Sequence, residues 1–410
     1  METQRFFAPI CGIFVLACLL LTACEEEEKL QARKDIPLTR TELNMVEANN
    51  EFTFSLFNNL VEISQGSNLM ISPFSLSEVL GMLANGAAGE TKEEIIKALG
   101  FENYSIEEVN TYYKTLRKGL LEVDNSTQLS LANSVWIEEK FSIETAFKET
   151  LESEYKASVN VLPFNNSMVE KVNSWCHHQT NGRITQFLTE TPREELLLLN
   201  ALYFKGQWKE KFDPKETKEK IFFKEAGTTR SHYMCQDLKA LCYSVEEENF
   251  KLLQLPYGNQ AFNMTIALPD KEISVDELVE ILSAEKWTSC IQQMKNYNVH
   301  VELPLFTAEF EYTDKLKSAL QKMGVSTLFE SANLSGISSK KGLNISGFKQ
   351  KTYIEVTEEG TTAAAVSGNG MDMSPSSLAA QEFIVNRPFV YVIQEISTGA
   401  ILFIGKVMEP

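Results

Sequence analysis

The chain has 410 residues, 43% hydrophobic and 23% charged, a globular composition long enough for one large core or two to three smaller ones. Its net charge of −18 argues against nucleic acid or an anionic membrane surface as an electrostatic partner. Charge of that size serves solubility.

The first element is a targeting segment, residues 1–23. Residues 6–23 are apolar and end in Leu21-Thr22-Ala23-Cys24, small side chains directly before a cysteine. This resembles a bacterial lipobox, which implies cleavage before Cys24 and a lipid on that cysteine. The competing reading is an uncleaved anchor, because an apolar run of this length stands at the lower limit for crossing a bilayer. Glu25 to Glu28 open a polar tether over 24–38. An acidic run there is similar to the surface-export signal of Bacteroidetes lipoproteins and is also compatible with a plain solvated tether.

Thr39 with Glu42 reads as a capping box that opens a helix striped by Leu43, Val46, Phe54, Phe57 and Val61. Residues 68–74 read as a short strand halted at Pro73. Ser75 with Glu78 reads as the cap of a second helix, broken by Gly86 and Gly89. Thr91 with Glu94 is expected to cap a third helix and Ser105 with Glu108 a fourth. Alternation at Leu129, Leu131, Val135 and Ile137 predicts a strand, and 143–182 a helical region. Residues 196–204 are nearly all apolar around Asn200, as in a strand covered on both faces. Strands dominate 221–269, and Ser274 with Glu277 caps a further helix. Residues 299–310 read as one long strand, 314–323 as a helix stopped by Gly324, and 388–394 and 400–407 as two final strands. With no repeat or linker beyond Thr39, the pattern predicts a single α+β domain over 39–410.

Enzyme signatures are missing from the sequence: it has no GxSxG, HExxH, P-loop or strand-following GxGxxG. His177 and His178 are adjacent, so on a helix they point about 100° apart and do not chelate. His232 and His300 stand alone in sequence. No catalytic residue, metal site or cofactor is expected. Four cysteines lie outside residues 1–24, Cys176, Cys235, Cys242 and Cys290; Cys235 and Cys242 either meet across a strand turn or are buried free thiols.

The stretch 353–381 stands apart. Tyr353 to Thr357 alternate like a strand, Glu358-Glu359-Gly360 follow, and Thr361-Thr362-Ala363-Ala364-Ala365-Val366-Ser367 are nearly all small. Residues 368–380 are loose and almost uncharged, and a long loop inside a compact domain needs a functional reason or is disordered. Glu358-Glu359-Gly360-Thr361-Thr362-Ala363-Ala364-Ala365 resembles the reactive-loop hinge of the serpin protease inhibitors. Four further segments resemble that family in the same order: 68–75, 180–184, 199–208 and the C-terminal Asn386-Arg387-Pro388-Phe389 with Gly405-Lys406-Val407.

The resemblance implies a serpin fold of about eight or nine helices and three β-sheets, with an exposed loop at about 358–381. It implies inhibition of serine-type proteases, and of cysteine proteases in some members, by suicide trapping. The loop is cleaved to an acyl-enzyme and then inserts into the main sheet, an established case of strand addition. It further implies that Ser72, Ser75, Asn200, Gln350 and Trp208 lie under and at the top of the opening in that sheet. Gln350 stands where the family often has histidine, and Leu305 follows Leu303-Pro304 where a lysine often binds the hinge glutamate. Counting from Glu358 in the family register puts the bond at Ser374–Pro375, which proline would hinder; one residue shorter gives Met373–Ser374, the preferred bond. Met371 and Ser377 are alternates. No Lys or Arg lies between Glu359 and Glu382, so an elastase-like or chymotrypsin-like target is favoured over a trypsin-like one. Expected partners are therefore a protease and, through the lipid, a membrane. The protein is expected to be a monomer on the outer membrane, cell surface or periplasmic face. A non-inhibitory serpin-fold carrier is the alternative.

An inserting segment must alternate faces, so Thr361, Ala363, Ala365 and Ser367 share one side. Small uncharged side chains there avoid overpacking, at about 1–3 kcal/mol per misfit, and avoid burying charge.

Overall fold

Three N-terminal signals set the helices locally. Thr39 and Glu42 form the expected capping box on α1 (Arg40–Ile63), with the Glu42 carboxylate accepting from the Thr39 amide at 2.7 Å. The computed structural model describes residues 32–193, 195–244, 248–312, 314–343, 345–361 and 381–410. After β1 (Leu69–Ile71) come α2 (Pro73–Gly86), α3 (Glu90–Ala98) and α4 (Ile106–Glu122), the last opened by the expected Ser105–Glu108 box. Then follow β2 (Gln128–Glu138), α5 (Thr145–Glu154), β3 (Ser158–Leu162), α6 (Asn166–Gln179) and β4 (Leu196–Gln207). The strand-rich part holds β5 (Lys218–Phe223), β6 (Thr228–Ser244), β7 (Phe250–Pro256) and β8 (Phe262–Pro269). It continues through α7 (Val275–Ile281), opened by Ser274 and Glu277, and α8 (Ala284–Gln293). The remainder is β9 (Lys295–Pro304), β10 (Phe306–Tyr312), α9 (Asp314–Lys322), α10 (Thr327–Glu330), β11 (Ile345–Thr357), β12 (Gly360–Thr361), β13 (Gln381–Ile384), β14 (Phe389–Glu395) and β15 (Ile401–Val407).

The described strands form a nine-stranded and a six-stranded sheet, and the class is α+β as expected. Three sheets become two because β6 is long enough to join separate groups. It pairs with β5 over Thr228–Tyr233, with β9 over Tyr233–Cys242 and with β7 over Leu241–Ser244. The six-stranded sheet runs β10-β11-β12-β4-β2-β3. Helix α2 lies between the sheets, touching β4 and β15, and every one of its residues but Asn85 is buried.

Strand β4 is covered on both faces. Leu196, Leu198, Leu202 and Phe204 enter the main core, whereas Leu197 and Leu199 pack with Trp136 and with Met168, Val172 and Cys176 of α6. That burial explains its almost unbroken apolar sequence.

Four expectations are corrected. Ser75 and Glu78 are not a cap, because α2 begins earlier with Ser72 at the N-cap and Pro73 at the first turn, leaving both side chains buried inside the helix. Thr91 and Glu94 do not cap α3, which starts after Gly89 at φ +56°. The Glu94 carboxylate instead accepts from the Ser326 and Thr327 amides at the start of α10. The strand expected over 299–310 is two, β9 and β10, in different sheets, with the break at Leu305 after Pro304. The helical region over 143–182 contains β3, paired in parallel with β2.

Within the expected tether, Ile36 is buried and its amide donates to Ser397 Oγ at 3.0 Å, so the chain joins the domain before α1. All four described cysteines are free and buried.

Candidate functional site

Strands β4 and β11 run parallel and pair directly from Leu196/Ile345 up to Tyr203/Tyr353. Above that point they part. The chain leaves β11 at Thr357, turns through Glu358 and Glu359, and comes back between the two strands as β12. Gly360 and Thr361 pair antiparallel with Thr357 and Val356 on one side, and with Gln207 and Gly206 on the other. Parallel neighbours thus hold the two-residue antiparallel strand β12 between them.

The turn is held from the β4 side. The Trp208 amide donates to Glu359 O and its indole Nε1 to Thr357 O, each at 2.9 Å, and the Phe212 amide donates to Glu358 O at 2.9 Å. Glu358 accepts from Thr217 Oγ1 at 2.6 Å, so the position the missing lysine would serve is filled by a threonine hydroxyl. Lys211 pairs with Glu359 at 2.9 Å. Gly360 is required sterically: its φ is +136°, and a Cβ there would stand 2.2 Å from Gly206 O. Thr361 is fully buried and shares a 2.7 Å hydrogen bond with Tyr257 OH. Tyr257 in turn stacks on Trp208 with centroids 4.4 Å apart and planes 9° from parallel. Burial pushes the Tyr257 phenol up, offset in part by the Thr361 contact.

Lower along the same two strands, where they pair directly, lies a row of buried amides. Gln350 pairs with Asn200, and Asn200 with Asn133 on β2. Gln350 Oε1 accepts from the Ser72 amide at 3.0 Å and its Nε2 donates to Ser72 O at 2.8 Å, so one side chain ties β11 to the start of α2. Ser72 Oγ donates to Ser75 Oγ at 3.0 Å. Asn200 Nδ2 donates to Asn133 Oδ1 at 2.7 Å, whereas Asn200 Oδ1, although buried, accepts no hydrogen bond. Beneath the row Glu78 and Arg117 form a buried ion pair; burial raises the Glu78 carboxyl and Arg117 opposes that rise.

Ser72, Ser75, Asn200 and Gln350 thus form one cluster along these strands, and Trp208 lies above it with Glu358 to Thr361. Thr362, Ala363, Ala364, Ala365, Met371, Met373, Ser374, Pro375, Ser377 and Cys24 lie outside the described residues. Sequence reasoning missed Tyr257, Thr217, Lys211 and Asn133. Tyr257 sits in Leu255-Pro256-Tyr257-Gly258, an ordinary strand end, and nothing local pairs it with Thr361. Asn133 had a weak signal, a polar residue at an inward position of an alternating strand.

The sequence profile of the family described as Serpin (serine protease inhibitor) matches residues 47–410. The chain belongs to the serpin family. This serpin is 34% identical to human Serpin B3 over 393 residues, covering 90% of this chain and 100% of the relative. It is 33% identical to the leukocyte elastase inhibitor of Xenopus tropicalis over 381 residues, again covering 90% and 100%. Among solved structures, the native state of the thermophilic serpin tengpin superposes with a TM-score of 0.84 at 29% identity, covering 93% of this chain and 97% of that one.

Proposed function

We propose that this serpin is an inhibitor, not an enzyme, that traps elastase-like or chymotrypsin-like serine proteases as acyl-enzymes. The target's serine oxygen attacks the Met373 carbonyl carbon, an ester forms, the Met373–Ser374 bond breaks, and the released Ser374 amine takes up a proton. The segment beyond Thr361 then enters between β4 and β11 and draws the ester-linked protease with it. No cofactor or metal takes part, and the inhibitor acts as a monomer.

The observation that carries the reading is the seat of Gly360 and Thr361, already paired with both neighbouring strands. Insertion then extends an existing ladder instead of starting one. About ten further ladder bonds at ~0.5–1.5 kcal/mol each supply on the order of 10 kcal/mol, comparable to the stability of a whole domain. Similarity to leukocyte elastase inhibitor supports the target class.

Titration against a panel of elastase-like, chymotrypsin-like and trypsin-like enzymes tests this. Activity of the first two classes is expected to fall to zero near one inhibitor per enzyme, with complexes that survive SDS. Cleavage of the loop with every protease left active would favour the carrier reading instead.

The lipobox supports a second part of the proposal: Cys24 is lipidated and holds the inhibitor on the outer membrane, cell surface or periplasmic face. Labelled palmitate should enter the wild-type protein and not Cys24→Ser. A mature protein that retains residues 1–23 without label would be an uncleaved anchor.

A further inference from the structure

In the nine-stranded sheet, strand register brings two half-buried cations together. Lys251, at the start of β7, pairs with Leu268 on β8. The next residue of β8, Pro269, accepts from Arg387 Nε at 2.8 Å through its carbonyl. Neither cation has a carboxylate partner among the described residues. Lys251 Nζ donates to Glu382 O at 3.3 Å and stands 5.1 Å from the centroid of the Phe383 ring, while Arg387 also donates to Asn386 Oδ1 at 3.2 Å. Burial lowers the pKa of both, and the Arg387 charge lowers that of Lys251 further; Asp270, Glu272 and Glu382 oppose this only from beyond contact. A half-buried ammonium with three N–H donors, answered by one carbonyl and one ring, is short of counter-charge.

Lys251 lines an open crevice of about 200 Å3 between the start of β7 and β13. The side chains around it are largely apolar. Leu252, Val299 and Phe383 are buried, and Cys242 is a neutral wall, because burial pushes its thiol up to about 11. Glu382 is exposed at the rim. One cation beside an apolar wall suits a ligand with one negative charge and a hydrocarbon body. The volume lies below the roughly 300–1,000 Å3 of sites for drug-sized ligands, so that body is short.

We propose that this crevice binds a small monocarboxylate, with its carboxylate on Lys251 and its hydrocarbon body against Leu252, Val299 and Phe383. A dianion such as phosphate is disfavoured, because it meets Glu382 at the rim and a net charge of −18 on the whole chain. With that net charge, binding depends on the local contact with Lys251 and on burial of the apolar body, not on long-range attraction. The site is separate from the gap between β4 and β11, and it stands whether or not the protein inhibits a protease.

Calorimetric titration of the uncleaved protein with octanoate tests the site. One equivalent is expected to bind. Octan-1-ol, which lacks the charge, and acetate, which lacks the body, should each bind at least about tenfold more weakly. Lys251→Met should weaken octanoate by a similar factor, and Lys251→Arg should retain it. A diazirine-bearing octanoate should label peptides that contain Tyr243, Leu252 or Phe383, which locates the site even if Lys251→Met does not fold. The proposal is overturned if octanoate does not bind, if octan-1-ol or phosphate binds as tightly, if folded Lys251→Met binds octanoate like wild type, or if the label falls only elsewhere.

Discussion

Gly360 and Thr361 carry the most constrained contacts in the gap. A methyl group at Gly360 meets backbone atoms of Gly206, Gln207 and Trp208, none of which can rotate aside. Gly360→Ala is therefore expected to cost about 1–3 kcal/mol and to unseat the turn. Denaturant midpoints, with Trp208 fluorescence reporting its loss of contact with Thr357, measure both effects. Tyr257→Phe keeps the stack on Trp208 but removes the partner of a fully buried hydroxyl. The expected loss is again about 1–3 kcal/mol, and Thr361→Val in the same background should recover most of it, because both halves of the pair are then apolar. No recovery in the double variant would show that the hydroxyls are satisfied elsewhere.

Between elements, Gln350 and His300 are two of the side chains that join strands to their neighbours. Gln350 satisfies both backbone groups of Ser72 and so fastens β11 to α2. Gln350→Ala orphans the buried Ser72 amide, whereas the Ser72 carbonyl keeps the Leu76 amide; the expected cost of about 1–3 kcal/mol is measurable as a lowered unfolding midpoint of the uncleaved protein. His300 on β9 joins the other sheet. Its Nδ1 lies 2.6 Å from Asp237 on β6 and its Nε2 3.3 Å from Glu302, which also pairs with Lys220 on β5. The hydrogen bond to Asp237, more than that to Glu302, raises its pKa above the ordinary 6.5. A folded value above the unfolded one means that the stabilisation is complete below that ordinary value and fades as pH rises through the folded pKa. The midpoint difference between wild type and His300→Gln should thus be larger at about pH 6 than at about pH 9; a difference independent of pH would contradict it.

How far elements can be read from sequence follows from what their side chains touch. Thr39, Ser105 and Ser274 made legible caps because both partners sit within three residues. Glu78 and Glu94 carry the same local pattern, but tertiary partners claim them, Arg117 and the start of α10, while Ser75 bonds to Ser72 at the N-cap of its own helix. The gap itself was legible in part. Hinge residues announce themselves by smallness, and Asn200 by polarity in an apolar run. Tyr257, Asn133 and Thr217 did not, because strand register alone brings them to the gap.

At the scale of the molecule the parts form one device. Two parallel strands pair directly below and part above, and a turn seats Gly360 and Thr361 between them where they part. The 34% identity with human Serpin B3 extends over nearly the whole chain, so the device sits within a complete serpin domain. The central claim, that a protease is captured through an ester at Met373, is tested most directly by intact mass under denaturing conditions after mixing with an elastase-like enzyme. The account predicts a species equal to the protease plus the inhibitor's N-terminal part ending at Met373, with residues 374–410 released. Finding only cleaved inhibitor beside free, active protease would contradict it.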